Sequence, residues 1–521
     1  MLSLAAGVLA VGCRAATERA STIVYATGAD LEGANPITTV HPLSRQVQRY
    51  VLLVTLVRLD SLLRPVPYAA TDWAWSSDQR ALTFTLRQDL RWHDGMPTTA
   101  QDVAFTYEAA RDPASGSPRA AELSTLDSVR VLSPARVRFY FAVPTVGVPT
   151  VFAELALAPE HLLGSVPRAE LRRASYNTAP IGNGPFRFER RDAGRRWIFV
   201  RNPAFPADLG GPPRAQRLVV TLVDEPTTKF AGLVAGDLDV AGVAPTMAAT
   251  IADDPALRVL SYPVLFSNAL VFNTTRAPFN DQRLRRAIDL LIDRVRIADV
   301  ALAGYATPAD GPVPSTHPLW VPAKRSVPSV GDSLLDSAGF VLGANGLRSR
   351  EGKPLSFELL TVGSGDNTVE QLIQGDLRQH GIEMRIRQMD FGAFLTAARA
   401  PNKSFDALIT GIPGDLALAH LRGMFDSALR GGAIDYTGYH TASLDSAFAR
   451  IRVSRNADDL RAAWSDVQSI LRTEVPVAWL YHSRGVQGVA RSLDGVQMDL
   501  RGEMVTVSQW SRHAVAGEKS P

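Results

Sequence analysis

The chain has 521 residues, of which 46% are hydrophobic, and its formal net charge at pH 7 is only +3. A chain of this length and composition can build one or more large cores, and the length suggests two to four domains. Only five of the 55 basic residues are lysines, so the chain is rich in arginine. The basic residues are interspersed with 52 acidic ones and form no stripe with aromatic residues, which argues against binding to nucleic acid.

The N-terminal residues form an apolar run that ends at Cys13, the only cysteine of the chain. Residues 2–11 carry no charge, but they are about half as many as the roughly 20 residues that span a bilayer. Such a run predicts a signal peptide over 1–12, which is removed and takes no part in the fold. Residues 9–13 resemble a bacterial lipobox, which implies that Cys13 is lipidated and that 13–21 form a tether. The alternative is a frayed N-terminus with an incidental cysteine.

The single cysteine also limits the chemistry of the chain. No intramolecular disulfide and no cysteine-based metal site can form, so the fold depends on its hydrophobic core. After Cys13 no apolar run approaches the length that spans a membrane, and we expect the remainder of the chain to be soluble.

Strand-like and helix-like segments alternate along the chain, which predicts a mixed α/β fold. Residues 22–26 predict a first strand, and residues 81–86 alternate apolar and polar side chains as a strand with one buried face does. Residues 98–101 have capping-box spacing and predict the start of a helix. The apolar stripe of that helix consists of Val103, Tyr107 and Ala110.

Two later helices are predicted from regular apolar stripes. The first begins after Asn280 and Asp281, and its stripe consists of Leu284, Ile288, Leu291 and Val295. The second begins after Asn456 and ends before Pro476, and its stripe consists of Leu460, Trp464, Val467 and Leu471. We expect both stripes to lie in the core.

The common catalytic and phosphate-binding motifs GxSxG, HExxH, GxxxxGK[ST], CxxC and GxGxxG do not occur. Residues 182–186 (GNGPF) begin like a phosphate loop, but Pro185 lacks the amide that a phosphate would need. We therefore expect no enzyme and no cofactor. Distant segments can still assemble a catalytic triad, so the absence of motifs leaves an exported hydrolase open.

Several separated segments follow one another in the order known from a single family. They are LVRLD at 56–60, LTFTLRQDLRWHDGMPTTAQDVAFTYEAARD at 82–112, IGNGPFRF at 181–188, LVAGDLDVAGVAP at 233–245, NALVFNTTRAPFNDQRLRRAIDLLIDR at 268–294, HGIEMRIRQMDFGAFL at 380–395, the stretch 435–449, and VPVAWLYH at 475–482. Together they resemble the bacterial extracellular solute-binding proteins of family 5, the peptide/nickel-type receptors of ABC importers. The resemblance covers nearly the whole mature chain, and Asn183 departs from the family pattern.

The resemblance implies an α/β, two-lobe clamp like that of the periplasmic binding proteins (type II-like), with an inserted extra subdomain in the first lobe. It places 22–275 and 481–521 in lobe I, with the subdomain at about 65–180, and 276–480 in lobe II. Ligand binding by lobe closure follows, because a ligand that prefers the closed form shifts the equilibrium towards it.

The implied function is that of an extracytoplasmic receptor of an ABC importer for oligopeptides or a similar small solute. We expect a monomer in the periplasm or at the cell surface, held at the membrane by the lipid on Cys13, with the ligand and the ABC permease subunits as partners. One alternative is a nickel-chelate or sugar receptor on the same scaffold. Another is a ligand-sensing or peptide-chaperone protein that is not tied to transport.

The resemblance also implies candidate ligand residues. In peptide-binding members an aspartate neutralises the α-ammonium of the ligand, and the matching position is Asp415, followed here by the apolar Leu416 and Ala417. The alternative is that Asp415 caps a helix over 416–424. Thr27 and Gly28 match a position that reaches the ligand backbone, and a plain strand-ending turn is their alternative.

Two histidines invite other interpretations. Nickel-type members use a histidine in the region of His420, but a lone imidazole cannot hold a transition metal unaided, so we expect no metal site. His93 lies in the segment 92–95, which matches a structural turn of the family in which Gly95 supplies an unusual backbone angle.

Overall fold

The computed structural model describes residues 19 and 21–513, except 121, 324–326 and 364–366, so Cys13 lies outside the described residues. The chain forms two compact units. The first ends at Tyr262 and resumes at Gly485, and the second runs from Pro263 to Arg484. The division predicted from the resemblance was at 275/276 and 480/481. In the described part of the chain, no helix combines the length and the apolar character needed to cross a membrane.

The strands described in the first unit up to residue 262 are β1 (Thr22–Thr27), β2 (Val57–Leu59), β3 (Pro65–Pro67), β4 (Ala70–Trp75), β5 (Ala81–Leu86), β6 (Leu126–Ser133), β7 (Arg136–Phe141), β8 (Phe186–Asp192), β9 (Arg196–Arg201), β10 (Arg217–Leu222), β11 (Val240–Gly242) and the first part of β12 (Leu257–Phe272). The α-helices described there are α1 (Pro42–Val47), α2 (Ala100–Arg111), α3 (Val151–Glu154), α4 (Glu160–Leu163), α5 (Pro226–Val234) and α6 (Ala248–Asp253). A π-helix over Gln48–Leu52 follows α1.

The main sheet of the first unit has the strand order β11-β1-β10-β9-β8. β1 is parallel to both of its neighbours, with Thr22 opposite Arg217 on β10 and Tyr25 opposite Val240 on β11. Because parallel neighbours need crossover connections, the helices α5 and α6 lie between strands in the sequence and pack on the sheet. The apolar cluster at this contact consists of Ala26, Leu233, Leu238, Ala241, Ile251 and Leu257.

A separate antiparallel sheet, β4-β5-β7-β6, covers residues 70–141 and falls within the subdomain expected at 65–180. β5 has the predicted bounds, and its side chains alternate between buried and half-buried as predicted. Aromatic rings fill the core beneath it. Phe139 packs against Phe84 and Phe152 with centroid distances of 5.7 and 4.7 Å in edge-to-face geometry, which is the preferred arrangement of aromatic pairs.

The start of α2 differs by one residue from the prediction. Thr99, not Thr98, is the N-cap, and its backbone amide donates to Asp102 Oδ2 at 2.8 Å. The reciprocal partner is therefore Asp102 and not Gln101. A carboxylate accepts a stronger hydrogen bond than an amide and also interacts favourably with the N-terminal end of the helix dipole.

The strands described in the second unit are the remainder of β12, β13 (Ala306–Pro308), β14 (Val341–Leu342), β15 (Arg348–Arg350), β16 (Lys353–Pro354), β17 (Ser356–Val362), β18 (Glu383–Met389), β19 (Ala407–Pro413) and the first part of β20 (Val477–Ala490). Its described α-helices are α7 (Gln282–Leu291), α8 (Arg294–Leu302), α9 (Pro328–Ser337), α10 (Thr368–Gln379), α11 (Phe391–Arg399), α12 (Ala419–Phe425), α13 (Ala442–Val453) and α14 (Ala457–Glu474). The end of β20 lies in the first unit, where it pairs with β11 and is followed by β21 (Leu493–Asp494) and β22 (Ser511–Arg512).

The sheet of the second unit has the order β18-β17-β19-β12-β20 and is buried on both faces. Successive side chains of a strand point to opposite faces, so β12 contributes to two core clusters. Ala269 and Val271 lie in the cluster with the helices α11–α14, and Leu270 and Phe272 lie in the cluster with α7–α10. Both helix layers are therefore fixed to one sheet by apolar burial.

Most residues of the two predicted helical stripes are buried, with one error. On α14, Trp464, Val467 and Leu471 are buried and Asn456 is the N-cap. On α7, the side chain of Asp281 caps the helix as predicted, but Val295 is 60% exposed and lies on the next helix. The helix ends because Ile292 is extended and Asp293 caps α8, which changes the direction of the chain before Val295.

Candidate functional site

The predicted ligand residues 415–417 form a turn between β19 and α12 in the second unit. Asp415 Oδ1 accepts hydrogen bonds from the amides of Ala417 at 2.9 Å and Ala419 at 3.0 Å, and Oδ2 accepts from the amide of His420 at 3.0 Å. The carboxylate therefore satisfies amides of the first helical turn, which have no partner within the helix. The N-cap position itself is Leu418, so Asp415 supports the start of the helix from three residues before the cap.

α12 begins at Ala419, three residues later than the helix predicted from the sequence. Leu418 has a φ of 56°, in the left-handed region, and its amide donates to the carbonyl oxygen of Asp415 at 3.1 Å. The chain thus makes a tight turn at 415–418 before the helix starts. The turn leaves Ala417 exposed and Leu416 half-buried.

His420 completes the set of donors around Asp415, because its Nδ1 lies 3.2 Å from Asp415 Oδ2. Burial alone would raise the pKa of Asp415, but His420 and the amides of Ala419 and His420 lower it to about 2. The side chain of Asp415 is 34% exposed and that of His420 is 10% exposed. A carboxylate has about four lone-pair sites, and four donors already surround this one.

A second histidine lies beside this turn but is fully engaged. His317 Nε2 lies 3.2 Å from the carbonyl oxygen of Leu416, and its Nδ1 accepts from the amide of Leu319 at 3.2 Å. The imidazole must therefore be neutral with its proton on Nε2, in agreement with burial, which lowers the pKa of His317. Among the described residues, no group of three or more His, Cys, Asp or Glu side chains could hold a metal ion.

Thr27 and Gly28 lie in the first unit, at the end of β1. The Thr27 hydroxyl donates to the carbonyl oxygen of Ala29 at 3.2 Å and accepts from the amide of Ala29 at 3.4 Å. This is a local side-chain turn, and Gly28 in it is exposed. The structure thus places Asp415 and Thr27 in different units, and their roles in ligand binding stay predictions.

The segments 92–95 and 182–184 pack together in the first unit. His93 Nδ1 accepts from the amide of Gly182 at 3.2 Å, and its Nε2 donates to the carbonyl oxygen of Gly184 at 3.0 Å. Burial lowers the pKa of His93 to about 4, so the ring is neutral as these bonds require. Gly95 has a φ of 95°, the unusual backbone angle expected for the turn.

The glycine loop at 182–184 is engaged by the backbone of Leu52. The amides of Asn183 and Gly184 donate to the carbonyl oxygen of Leu52 at 3.1 and 2.9 Å, so they are not free for a phosphate. Asn183, the departure from the family pattern, is fully buried. Its Oδ1 accepts from the amide of Val54 at 3.0 Å and its Nδ2 donates to Thr98 Oγ1 at 3.2 Å.

A buried charged cluster in the first unit escaped sequence reasoning. Three arginines surround Glu154: Arg45 at 2.6 Å, Arg49 at 3.4 Å and Arg119 at 3.4 Å, and Arg119 also pairs with Glu122 at 2.8 Å. The Nε atoms of Arg45 and Arg49 are buried without a hydrogen-bond partner in the described part of the chain. Arg45 and Arg49 are four residues apart and Arg119 and Glu122 are three apart, but these two pairs and Glu154 are distant from one another in the sequence.

A buried Ser–His pair lies in the second unit. Ser267 Oγ is 2.8 Å from His482 Nδ1, and burial lowers the pKa of His482 to about 4. His482 Nε2 is buried and has no hydrogen-bond partner among the described residues, so no carboxylate orients the ring as in a triad. Both side chains are also buried, which keeps a substrate from the hydroxyl. This geometry does not favour the hydrolase alternative.

Comparison with known families and proteins gives consistent findings. A family model described as bacterial extracellular solute-binding proteins, family 5 (middle) matches residues 64–421, which is more than half of the chain. Protein XP55 of Streptomyces lividans is 27% identical over 442 residues, which are 83% of this chain and 79% of that protein. The oligopeptide-binding protein AppA of Bacillus subtilis is 23% identical over 441 residues, which are 82% of this chain and 79% of that protein.

The fold also matches solved structures. NikZ of Campylobacter jejuni, in complex with Ni(L-His), has a TM-score of 0.76 to this chain at 23% identity. The match covers 95% of this chain and 100% of NikZ, so the two share their fold over nearly the full length.

Proposed function

We propose that this chain, which belongs to the bacterial extracellular solute-binding proteins of family 5, is the substrate-binding receptor of an ABC importer. The match of the family model to residues 64–421 carries the proposal. Its relatives are binding proteins and not enzymes, and we extend that role to this chain. The names of AppA and of the NikZ complex indicate that the family takes small solutes.

In this proposal the receptor works by a conformational equilibrium. A ligand that binds a closed form more tightly than an open one shifts the population by that difference in affinity. The permease subunits of the importer then recognise the closed form. The receptor acts as a monomer in the periplasm or at the cell surface.

The ligand is an oligopeptide or a similar small solute that is bound without an ion pair to Asp415. The carboxylate of Asp415 accepts from three backbone amides, and the imidazole of His420 lies beside it. An α-ammonium group would have to displace one of these donors.

A nickel chelate is the second candidate, and His420 is the observation that favours it. Its Nδ1 faces Asp415, an arrangement that orients an imidazole for a metal at Nε2. A single imidazole can only complete the coordination of an ion that brings its other ligands with it. The similarity in fold to NikZ, which was solved with Ni(L-His), makes this candidate testable.

A thermal-shift screen tests the proposed function. We expect a di- to pentapeptide to raise the Tm of the chain, because a ligand that binds only the folded state stabilises it, by about 2.7 kcal/mol at a concentration 100 times Kd. Sugars and the nickel–histidine complex are measured in parallel. A shift with a sugar or the nickel complex, and none with peptides, would reject the oligopeptide proposal.

The same assay decides the role of Asp415. We expect Asp415→Asn to lower the stability by about 1 kcal/mol as a lost cap, and to leave the affinity for a bound peptide unchanged. Asp390→Asn is the matched control, because Asp390 caps α11 by accepting from the amide of Ala393 at 2.9 Å. A loss of affinity of about tenfold or more in Asp415→Asn alone would instead assign Asp415 to the ligand.

We also propose that Cys13 is lipidated and that the mature chain is tethered through the residues that follow it. Of the tether residues, Arg19 is described, and its Nη1 pairs with Asp239 Oδ2 at 2.9 Å. We expect Cys13→Ser to move the protein from the membrane fraction to the soluble fraction, because several acyl chains hold a protein stably at a bilayer. Thr17→Ser keeps the cysteine and is the control. Recovery of Cys13→Ser with the membranes would contradict the proposal.

A further inference from the structure

One face of the main sheet of the first unit has a position without a side chain, at Gly242. On β11, Val240 lies opposite Tyr25 of β1, and Gly242 lies opposite Gln487 of β20. Directly opposed residues of neighbouring strands project to the same face, and so does every second residue along a strand. Tyr25, Gly242 and Gln487 therefore share one face, whereas the apolar cluster beneath α5 and α6 lies on the other.

The amide of Gln487 lies beside this bare position. A Cβ at Gly242 would lie 3.7 Å from Gln487 Nε2 and 3.8 Å from Oε1, and no other described atom beyond the adjacent residues lies within 4 Å of it. Glycine therefore leaves room for a group of about the size of a methyl next to the amide. Gln487 is 4% exposed, and its Oε1 is buried without a hydrogen-bond donor among the described residues. Such an acceptor gains from a ligand that donates to it.

The orientation of the Gln487 amide follows from the tyrosine beside it. Gln487 Nε2 donates to the hydroxyl oxygen of Tyr262 at 3.3 Å. Burial, the charge of Glu503 and a hydrogen bond to Glu503 raise the pKa of the Tyr262 hydroxyl. A carboxylate only accepts, so Tyr262 uses its single proton on Glu503 and accepts from the amide nitrogen of Gln487. Oε1 is therefore the amide atom that is left without a partner.

Glu503 adds a carboxylate with spare acceptor capacity to the same group. It is half-buried, and it accepts from the hydroxyls of Tyr25 and Tyr262. In the described part of the chain, no arginine, lysine or histidine side chain forms an ion pair with Glu503. A carboxylate has about four lone-pair sites, so two donors leave it open to more. Asp415, in contrast, is already surrounded by four donors.

This group of side chains lies at the edge of the sheet where ligands are expected. Ala26 pairs with Ala241, so the next residues, Thr27 and Gly242, end the parallel strands β1 and β11 side by side. In open α/β sheets, ligands bind outside the carboxyl ends of the parallel strands. Thr27 is also a residue that the resemblance predicts to reach the ligand backbone.

We propose that Glu503, Gln487 and the bare backbone at Gly242 hold an ammonium group of the solute in the first unit. The ammonium group donates to the carboxylate of Glu503 and to Oε1 of Gln487, and it occupies the room that Gly242 leaves. An ammonium group is about as large as a methyl group, whereas a guanidinium group is planar and larger. The inference rests on the proposed function and names the group by which the receptor recognises its solute.

Calorimetric titration of the full-length chain with trialanine and N-acetyl-trialanine tests this site. The two peptides differ in the ammonium group, which acetylation removes. We expect trialanine to bind about tenfold or more tightly than the acetylated peptide, because charge-assisted hydrogen bonds are lost on acetylation. Propylamine carries the ammonium group without the peptide and should also bind, whereas propanol should not.

Two variants locate the ammonium group. Glu503→Gln should weaken trialanine by about tenfold or more, because the charge is lost, and should leave the acetylated peptide unchanged. Gly242→Ala should have the same effect by filling the room beside Oε1. It should fold, because its Cβ meets only Gln487, at an ordinary contact distance. Asp494→Asn is the control, since Asp494 is 58% exposed beside His513 and its replacement changes the net charge equally.

The Tm of each variant without ligand separates a loss of binding from a loss of fold. Equal affinity of the unchanged chain, Glu503→Gln and Gly242→Ala for trialanine would overturn the ammonium site and leave the proposed function intact. Equal weakening by Asp494→Asn would show a general charge effect and would overturn the site as well.

Propylamine distinguishes failure of the site from failure of the proposed function. If neither peptide binds, the oligopeptide proposal fails. Binding of propylamine that Glu503→Gln and Gly242→Ala abolish would then still support the ammonium site. No binding of propylamine in that case would overturn the site too.

Discussion

Replacement of Asp435 by asparagine is expected to lower the free energy of unfolding of the second unit by about 3 kcal/mol, because it removes a buried carboxylate that accepts hydrogen bonds from three groups. The side chains of Asp435 and His440 are 3% and 1% exposed, and Asp435 Oδ2 lies 3.1 Å from His440 Nε2. His440 Nδ1 faces a second acceptor, the carbonyl oxygen of Phe425, at 3.3 Å. Asp435 also accepts from the backbone amides of Gly431 at 2.8 Å and Gly438 at 3.1 Å, so three donors surround the buried carboxylate.

The effect should depend on pH. Burial alone would raise the pKa of Asp435, but the amide of Gly431 and the imidazole of His440 outweigh it and lower the pKa. A carboxyl group with a lowered pKa stabilises the fold above its unfolded pKa of about 3.9, and this contribution is lost as the pH falls through the folded-state pKa. The difference between the unchanged chain and Asp435→Asn should therefore shrink as the pH falls below about 5.

Urea unfolding of both proteins at several pH values measures this difference. Asp466→Asn is the matched control, because Asp466 pairs with Arg450 on the surface, where the two side chains are 55% and 53% exposed. Such a pair contributes at most about 1 kcal/mol. If Asp435→Asn were as mild as the control at neutral pH, the hydrogen bonds to the buried carboxylate would not stabilise the fold as described.

Replacement of Gly182 by alanine is the second change with a large expected effect. A Cβ at this position would lie 2.0 Å from the carbonyl oxygen of Leu52 and 2.9 Å from Cε1 of His93. The oxygen of Leu52 cannot move freely, because it also accepts from the amides of Asn183 and Gly184. We expect a loss of about 3 kcal/mol or more in the free energy of unfolding, since the overlap is with backbone.

The same substitution elsewhere should have the opposite sign. Gly375 lies within α10, and a Cβ there meets no atom within 4 Å. Alanine loses less conformational entropy than glycine on forming a helix, so Gly375→Ala should stabilise the chain by about 0.5–1 kcal/mol. Thermal unfolding of the two variants compares them directly. Similar unfolding temperatures for Gly182→Ala and the unchanged chain would show that the backbone at Leu52 can shift to make room for the Cβ.

Local sequence signals predicted the elements that depend on neighbouring residues. Examples are the bounds of β5, the cap of α14 at Asn456 and the buried face of α2. Each depends on residues that lie close together in the sequence. The same reasoning was wrong at Val295. The apolar spacing continues from α7 to Val295, but Asp293 caps a new helix, and Val295 lies on that helix.

The candidate site shows the same limit. Resemblance to the family identified Asp415, and its local sequence allowed either a ligand role or a cap. The structure shows that Asp415 accepts hydrogen bonds from the amides of Ala419 and His420, which lie within five positions of it. The charged cluster around Glu154, in contrast, joins arginines to a glutamate that is distant from them in the sequence. No period or motif encodes such pairs.

The sequence by itself determined the family and the mixed α/β class, both of which the comparisons confirm. It did so because apolar periodicity and short motifs depend on residue order alone. Only the tertiary structure decided why residues 182–184 are glycine-rich and why Asp435 and His440 are buried together. Steric fit to Leu52 and the burial of Asp435 and His440 depend on which other parts of the chain the fold packs around them.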